Sequence, residues 1–179
     1  MRKNKFNSTS IALFLLITTA FLLILLFRKQ IISNTEMPNQ TIVQMYMNYR
    51  KDFQDIKELS VESLLILQLK TPIVLVDVRT EQERNVSIIP GAISESEFHQ
   101  KKDSFKGMLI VAYCTIGYRS GHFAKKIMQE GFLSYNLIGG VLAWAEAKQS
   151  FESKQGNTNL VHVYSKEWNL LPQEYQAVW

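Results

Sequence analysis

The chain has 179 residues, of which 46% are hydrophobic and 20% charged, and its formal net charge is +4. This composition is typical of one ordinary globular domain with additional segments, and no basic run is interleaved with aromatic residues, so we do not expect nucleic-acid binding. A single cysteine excludes an internal disulfide and a thiolate metal cluster, and the three histidines are scattered, so no metal site and no cofactor are expected.

An apolar stretch near the start of the sequence predicts a transmembrane helix. Residues 11–27 are apolar except for Thr18 and Thr19. As a helix they would span about 26 Å, which the flanking serines bring close to the ~30 Å hydrocarbon core of a bilayer. A cleaved signal peptide has a shorter apolar core, roughly 7–15 residues, followed by a small-residue cleavage site that is not found here. We therefore predict an uncleaved single-pass anchor, which with its flanks occupies residues 1–35.

Positive charges lie on both sides of this anchor. Arg2, Lys3 and Lys5 precede it together with the α-amine, whereas Arg28 and Lys29 follow it. The positive-inside rule then predicts a cytoplasmic amino terminus and a domain on the extracytoplasmic side of the membrane. One consideration opposes this orientation, because a lone reactive thiol is more easily kept reduced inside the cell.

Residues 36–54 are predicted to be a helical connector. Pro38 suits the first turn of a helix. The apolar residues that follow it at helical spacing are Ile42, Tyr46, Tyr49 and Phe53. We expect this stripe to pack on the main domain, at residues 55–150, rather than on a partner.

The domain is predicted to open with an edge strand and a helix. The strand covers residues 55–59, and Ser60 suits the N-cap of a helix over residues 61–69. The apolar run at residues 73–78 is typical of a buried parallel strand. After it, Glu81 and Glu83 are expected to form the solvated first turn of a short helix. Residues 98–106 are predicted to be a polar link, helical or irregular.

The only cysteine follows a second buried strand. Residues 108–112 (MLIVA) are short, apolar and rich in branched side chains, which predicts a strand of a parallel sheet. Beyond Cys114, a helix is predicted from the spacing of Phe123, Ala124, Ile127 and Met128, and Gly131 would end it. Cys114 therefore lies where a buried strand ends and a helix begins, the position at which open α/β sheets bind ligands.

The residues around Cys114 favour a nucleophile over a buried apolar thiol, which is the commoner fate of a lone cysteine. The first amides of a helix lack partners and carry partial positive charge, and Gly117 would let the loop turn its N–H groups inward as an anion nest. Arg119 adds a permanent cation. These features lower a thiol pKa from about 8.5 to roughly 3.5–7.5, so we expect a Cys114 thiolate that attacks an anionic substrate. The candidate substrate-binding residues are Thr115, Ile116, Gly117, Tyr118, Arg119 and Ser120.

The remaining elements complete the predicted fold. Residues 135–138 are predicted to be the last core strand, Gly139 and Gly140 a tight turn, and residues 141–148 a helix. Alternating strands and helices predict an α/β domain with a parallel sheet of about five strands and helices on both faces. The aromatic-rich tail at residues 151–179 includes a possible strand at 161–164, and we expect it to fold back on the domain because it exposes too much apolar surface alone.

Several motifs in this order resemble those of rhodanese domains of the single-domain sulfurtransferase kind. They are IVLVDVR at residues 73–79, IPGAI at 89–93, YCTIGYRS at 113–120, GF at 131–132, and LIGG at 137–140 followed by Trp144. The resemblance covers about residues 56–150. It implies a rhodanese-like fold in which Asp77 and Arg79 tie loops together near the site.

The same resemblance implies an activity for Cys114. In this family the cysteine accepts a sulfane sulfur from a small donor such as thiosulfate, becomes a persulfide, and passes the sulfur to a thiol or cyanide-like acceptor. A six-residue loop, here 114–119, goes with sulfur transfer, whereas the related phosphatases use one residue more. The sequence departs from the family where Ser87 and Ile88 replace a common Gly-His pair, a change that the persulfide chemistry tolerates.

Two functional classes follow from these observations. The first is a membrane-anchored sulfurtransferase, favoured because the loop keeps both Cys114 and Arg119. The second is a rhodanese-like binding or redox-sensing module in which Cys114 turns over little. A phosphatase or an arsenate reductase ranks third because of the loop length.

Overall fold

The computed structural model describes residues 17–23 and 40–179. Residues 17–23 are helical with exposed side chains. Among the described residues, no helix combines the length and the apolar character needed to cross a membrane. Most of the predicted anchor, residues 11–16 and 24–27, lies outside the described residues, as do both of its charged flanks and Pro38.

A five-stranded parallel sheet forms the centre of the domain, which confirms the predicted α/β class. Its strands are β1 (Lys57–Leu59), β2 (Ile73–Asp77), β3 (Ile93–Ser94), β4 (Leu109–Tyr113) and β5 (Leu133–Leu137), in the order β1-β5-β4-β2-β3. The central strand β4 pairs with β2, Val111 lying beside Leu75, and with β5, Ala112 lying beside Asn136. Cys114 therefore follows the most enclosed strand of the sheet.

Six helices belong to this domain. They are α1 (Gln40–Tyr49), α2 (Val61–Gln68), α3 (Glu81–Val86), α4 (Glu95–Lys101), α5 (Tyr118–Gln129) and α6 (Gly140–Glu146). The hydroxyl of Ser60 accepts a hydrogen bond from the Ser63 N–H, so the predicted N-cap of α2 is confirmed. The predicted link at residues 98–106 is mostly helical, since α4 continues into a 3₁₀ turn at Lys102–Phe105.

Two apolar clusters cover the two faces of the sheet, as the alternation of side chains along β4 requires. Val111 and Tyr113 point into the first cluster with α1 and α6, whereas Ile110 and Ala112 point into the second with α4 and α5. Phe98 of α4 is fully buried in the second cluster, where it packs on Phe105, Phe123 and Phe132. The predicted polar link thus supplies a core residue.

The segment beyond α6 forms two small two-stranded sheets against the domain. β6 (Phe151–Ser153) pairs antiparallel with β7 (Gly156–Thr158), and β8 (Leu160–His162) pairs parallel with β9 (Gln176–Val178). Phe151, Val161 and Val163 are completely buried in the first apolar cluster. The burial of these three side chains therefore holds the tail against the domain.

Candidate active site

Cys114 lies at the carboxyl end of β4, and α5 begins four residues later. Gly117 occupies the N-cap position of α5 with φ +106°, a conformation that side chains other than glycine rarely adopt. Its N–H donates a hydrogen bond to the Cys114 Sγ atom at 3.2 Å. The thiol is free and 2% exposed. The loop therefore presents a backbone donor to the sulfur, as the predicted nest requires.

The start of α6 holds the loop from the other side. The N–H groups of Val141 and Leu142 donate to the carbonyl oxygens of Cys114 and Thr115, at 2.9 and 3.3 Å. These carbonyls are thereby turned toward α6. A Cβ atom on Gly140 would overlap the Cys114 carbonyl oxygen and lie 2.8 Å from that of Thr115. The contact between helix and loop thus depends on glycine at residue 140.

A polar chain from α1 fixes the carbonyl of Gly117. The Asn136 amide donates to the Gly117 carbonyl oxygen at 2.9 Å and to the Tyr46 hydroxyl at 3.0 Å. Tyr46 in turn donates to the Glu58 carboxylate, which also accepts from Arg50 Nε at 2.8 Å. Burial, together with the bond to Glu58, raises the pKa of Tyr46 well above its usual value, so the hydroxyl stays protonated.

Arg119 is bound to Glu83 in a bidentate ion pair. Its Nη1 and Nη2 atoms donate to the Glu83 carboxylate at 2.8 and 2.7 Å, and Nη2 also lies 3.3 Å from the Thr115 hydroxyl. Burial alone would raise the pKa of Glu83, but the bonds from Arg119 and Thr80 outweigh it and lower the pKa to about 2. The bond to Glu83 also raises the pKa of Arg119. The Arg119 charge is therefore balanced within the site.

The predicted solvation of Glu83 is wrong. Its side chain is buried because the carboxylate closes a capping box with Thr80 and reaches Arg119. The T-x-x-E spacing of residues 80–83 is a signal for the capping box. The ion pair joins residues from separate elements, and no local pattern indicates it.

Asp77 and Arg79 form a buried pair beside the loop. Arg79 Nη2 lies 2.7 Å from Asp77 Oδ2 and donates to the Ser87 carbonyl oxygen at 2.6 Å. The guanidinium also lies over the Tyr113 ring, 5.7 Å from its centroid. This pair connects the end of β2 to the chain between α3 and β3, and Ser87 contributes to it through its backbone.

A pocket of about 350 Å³ lies over Cys114. Four of the predicted substrate-binding residues line it: Thr115, Ile116, Tyr118 and Arg119. Ser120 is fully buried outside this lining. Three further lining residues were not predicted as site residues: Tyr49, Tyr164 and Trp168. Within the described ranges, no group of three or more His, Cys, Asp or Glu side chains is arranged to hold a metal ion.

We expect Glu83→Gln to reduce stability and to strengthen anion binding. The amide leaves the Arg119 charge unbalanced, which should cost roughly 1–3 kcal/mol of unfolding free energy at neutral pH and lower the KM for an anionic sulfur donor severalfold. Because folding lowers the Glu83 pKa, the ion pair stabilises fully above about pH 4.5, and this contribution is lost as the pH falls toward about 2.

Urea unfolding at pH 7 and pH 3, with steady-state kinetics, measures both effects. Glu81→Gln, on the exposed side of the same helical turn, is the matched control. Equal losses from the two substitutions, or a stability difference between Glu83→Gln and the wild type that does not shrink at pH 3, would contradict the assignment.

Comparisons with known proteins indicate the family of this domain. The family described as "Rhodanese-like domain" matches residues 60–147. The chain is 31% identical over 94 residues to "Putative sulfurtransferase YtwF" of Bacillus subtilis (strain 168), covering 50% of this chain and 91% of that protein.

Two solved structures are also similar. The thiosulfate sulfurtransferase from Pseudomonas aeruginosa is 20% identical with a TM-score of 0.52, covering 64% of this chain and 23% of that one, a likeness of fold alone. The BH2092 protein from Bacillus halodurans is 28% identical with a TM-score of 0.48, covering 63% of this chain and 87% of that one. With its free cysteine at the end of the central strand and its relative in Bacillus subtilis, the chain belongs to the rhodanese-like domain family.

Proposed function

We propose that the chain is a sulfurtransferase that carries sulfur as a persulfide on Cys114. The thiolate attacks the outer sulfur of thiosulfate, the S–S bond breaks, and sulfite leaves with the bonding electron pair. A thiophilic acceptor, a thiol or cyanide, then removes the sulfur and restores the thiolate. A persulfide donor would react in the same way and release a thiolate.

The hydrogen bond from the Gly117 N–H to Cys114 Sγ carries this proposal. A backbone donor aimed at sulfur stabilises negative charge there without the reorganisation that a flexible side chain would need. Asn136 and the start of α6 hold the loop carbonyls, so the donor is fixed before substrate arrives. The pocket over Cys114 leaves room for the added sulfur.

Intact-mass measurement after incubation with thiosulfate tests the proposal. We expect a gain of one sulfur atom that cyanide removes, with release of an equal amount of thiocyanate. An unchanged mass under these conditions would contradict it.

A binding or redox-sensing module is the second candidate. The observation that favours it is the Arg119–Glu83 ion pair, because a balanced guanidinium attracts an anionic donor weakly. Steady-state turnover distinguishes the two: a module would accept one sulfur and transfer almost none to an acceptor, whereas an enzyme would cycle.

We also propose that residues 11–27 anchor the chain in a membrane as a single pass, with the domain on the extracytoplasmic side. The apolar stretch supports the anchor, and the larger positive charge before it supports this orientation. Cys114 is too buried to report the sidedness, so the test uses Leu69→Cys in a Cys114→Ser background, since residue 69 is 85% exposed.

A membrane-impermeant thiol reagent is expected to label residue 69 on intact cells. Labelling that requires permeabilised cells would place the domain inside. Recovery of the unlabelled chain in the soluble fraction would contradict the anchor itself. Cys114→Ser alone, which has no thiol, is the background control.

A further inference from the structure

Four aromatic side chains, Tyr49, Tyr118, Tyr164 and Trp168, form what we call the aromatic wall of the Cys114 pocket. The centroid of the Tyr49 ring lies 5.1 Å from that of Tyr118 and 6.1 Å from that of Trp168. The centroids of the Trp168 and Tyr164 rings lie 5.3 Å apart. These distances are those of favourable ring–ring contacts, so the wall is one continuous surface.

Most of this wall comes from outside the segment that matches the family. Tyr49 ends α1, before residue 60, and Tyr164 and Trp168 follow β8, beyond residue 147. The cysteine loop itself supplies only Tyr118. The extensions of this chain therefore decide what its sulfur site can accommodate.

The charges in the pocket do not favour a small dianion. The Arg119 guanidinium is paired with Glu83 and lies over the Tyr164 ring, 5.9 Å from its centroid. The faces of aromatic rings carry partial negative charge, so they repel anionic groups and bind apolar or aromatic ones. An uncharged organic group therefore matches this surface better than the oxygens of thiosulfate do.

The size of the pocket leads to the same class of ligand. Its volume of about 350 Å³ lies within the range of roughly 300–1,000 Å³ that is usual for small organic ligands. An inorganic donor that fits beside Cys114 and Arg119 would leave most of the aromatic wall in contact with water.

We propose that the sulfur donor is an organic sulfane-sulfur compound whose apolar or aromatic group binds the aromatic wall. This inference rests on the proposed function, since it assigns the donor of the same site. With a hydropersulfide R–S–SH, the Cys114 thiolate attacks the outer sulfur, and the S–S bond between the RS group and that sulfur breaks. The thiolate RS⁻ leaves with the electron pair, and Cys114 keeps the S–SH group.

Two donors of equal charge test the inference. Benzenethiosulfonate and methanethiosulfonate both offer one sulfane sulfur and release a sulfinate, but only the first carries a ring. The ratio of their kcat/KM values is divided by the ratio of their rates with free cysteine, which removes the difference in intrinsic reactivity and gives a corrected ratio. We expect this corrected ratio to be about tenfold in favour of the donor with the ring, which corresponds to about 1.4 kcal/mol.

Variants of the wall link this preference to named residues. Trp168→Ala and Tyr164→Ala are each expected to lower the corrected ratio at least threefold. Tyr164 is 60% exposed, so its substitution tests the wall even if Trp168→Ala does not fold, which circular dichroism would reveal. Trp179→Ala, a 59% exposed tryptophan of the same tail outside the pocket, is the matched control and should leave the ratio unchanged.

The outcomes separate this inference from the proposed function. Sulfur transfer from both donors without a preference for the ring, or a preference that both wall variants retain, would overturn the inference alone. Failure of every donor, thiosulfate included, to add sulfur to Cys114 would overturn both.

Discussion

Cys114→Ser is expected to abolish sulfur transfer from thiosulfate to cyanide, with a fall of at least about 10³-fold in kcat, because a serine hydroxyl forms no persulfide. The gain of one sulfur atom in the intact mass should vanish with it. Among the described residues no other cysteine is present to replace it. Residual turnover near the wild-type value would remove Cys114 from the mechanism.

The same substitution should leave the fold intact. The serine hydroxyl is nearly isosteric with the thiol and still accepts the Gly117 N–H, so we expect a change in unfolding free energy within about 1 kcal/mol. Urea unfolding measures this change. A large loss of stability would mean that transfer is lost because the chain unfolds. Cys114→Ala, which also lacks the thiol, would then be the variant used to measure the loss of transfer in a folded chain.

Gly140→Ala is expected to damage the site through its backbone. The new Cβ would overlap the Cys114 carbonyl oxygen, and residue 140 has a positive φ of +50°. Left-handed backbone and overpacking together should cost roughly 2–5 kcal/mol of unfolding free energy. Because α6 or the loop must move, the Val141–Cys114 hydrogen bond is lost, and we expect kcat to fall at least about tenfold in the molecules that remain folded.

Gly107→Ala separates backbone strain from the clash. Residue 107 also has a positive φ, +81°, but a Cβ there meets nothing within 4 Å. It should lose about 1–2 kcal/mol of stability while its kcat stays at the wild-type value. Equal kinetics in the two variants would show that the contact between α6 and the loop does not position Cys114.

The parallel sheet was predictable because its central strands are apolar on both faces. β4 (Leu109–Tyr113) is buried throughout, so its composition alone indicates a strand enclosed by helices. β5 (Leu133–Leu137) begins two residues earlier than predicted. Its start was missed because the polar residue Ser134 interrupts the apolar pattern, as Asn136 does again two residues later. Both are buried with partners from α5 or its N-cap, since the Ser134 hydroxyl donates to the Ala124 carbonyl oxygen at 2.8 Å.

The cysteine loop was predictable from local features, whereas its surroundings were not. A cysteine between a buried strand and a helix, with glycine three residues later, indicates the donor that Gly117 provides. The partner of Arg119 comes from α3, and the aromatic wall combines α1 with the chain after β8. Such pairings depend on how distant segments pack, and no spacing in the sequence encodes them.

The packing of α1 against the loop has a consequence for moving this site between proteins. A Cβ atom on Gly117 would lie only 2.6 Å from the Tyr46 ring, and a Cβ atom on Gly121 would lie only 2.5 Å from the Phe53 ring. Both rings therefore pack directly on the backbone at the start of α5. A gene fusion that transplanted residues 60–147 would carry the cysteine but leave both aromatic rings behind, exposing the start of α5 to water. A transplant that keeps both rings on the start of α5 must therefore begin near residue 40.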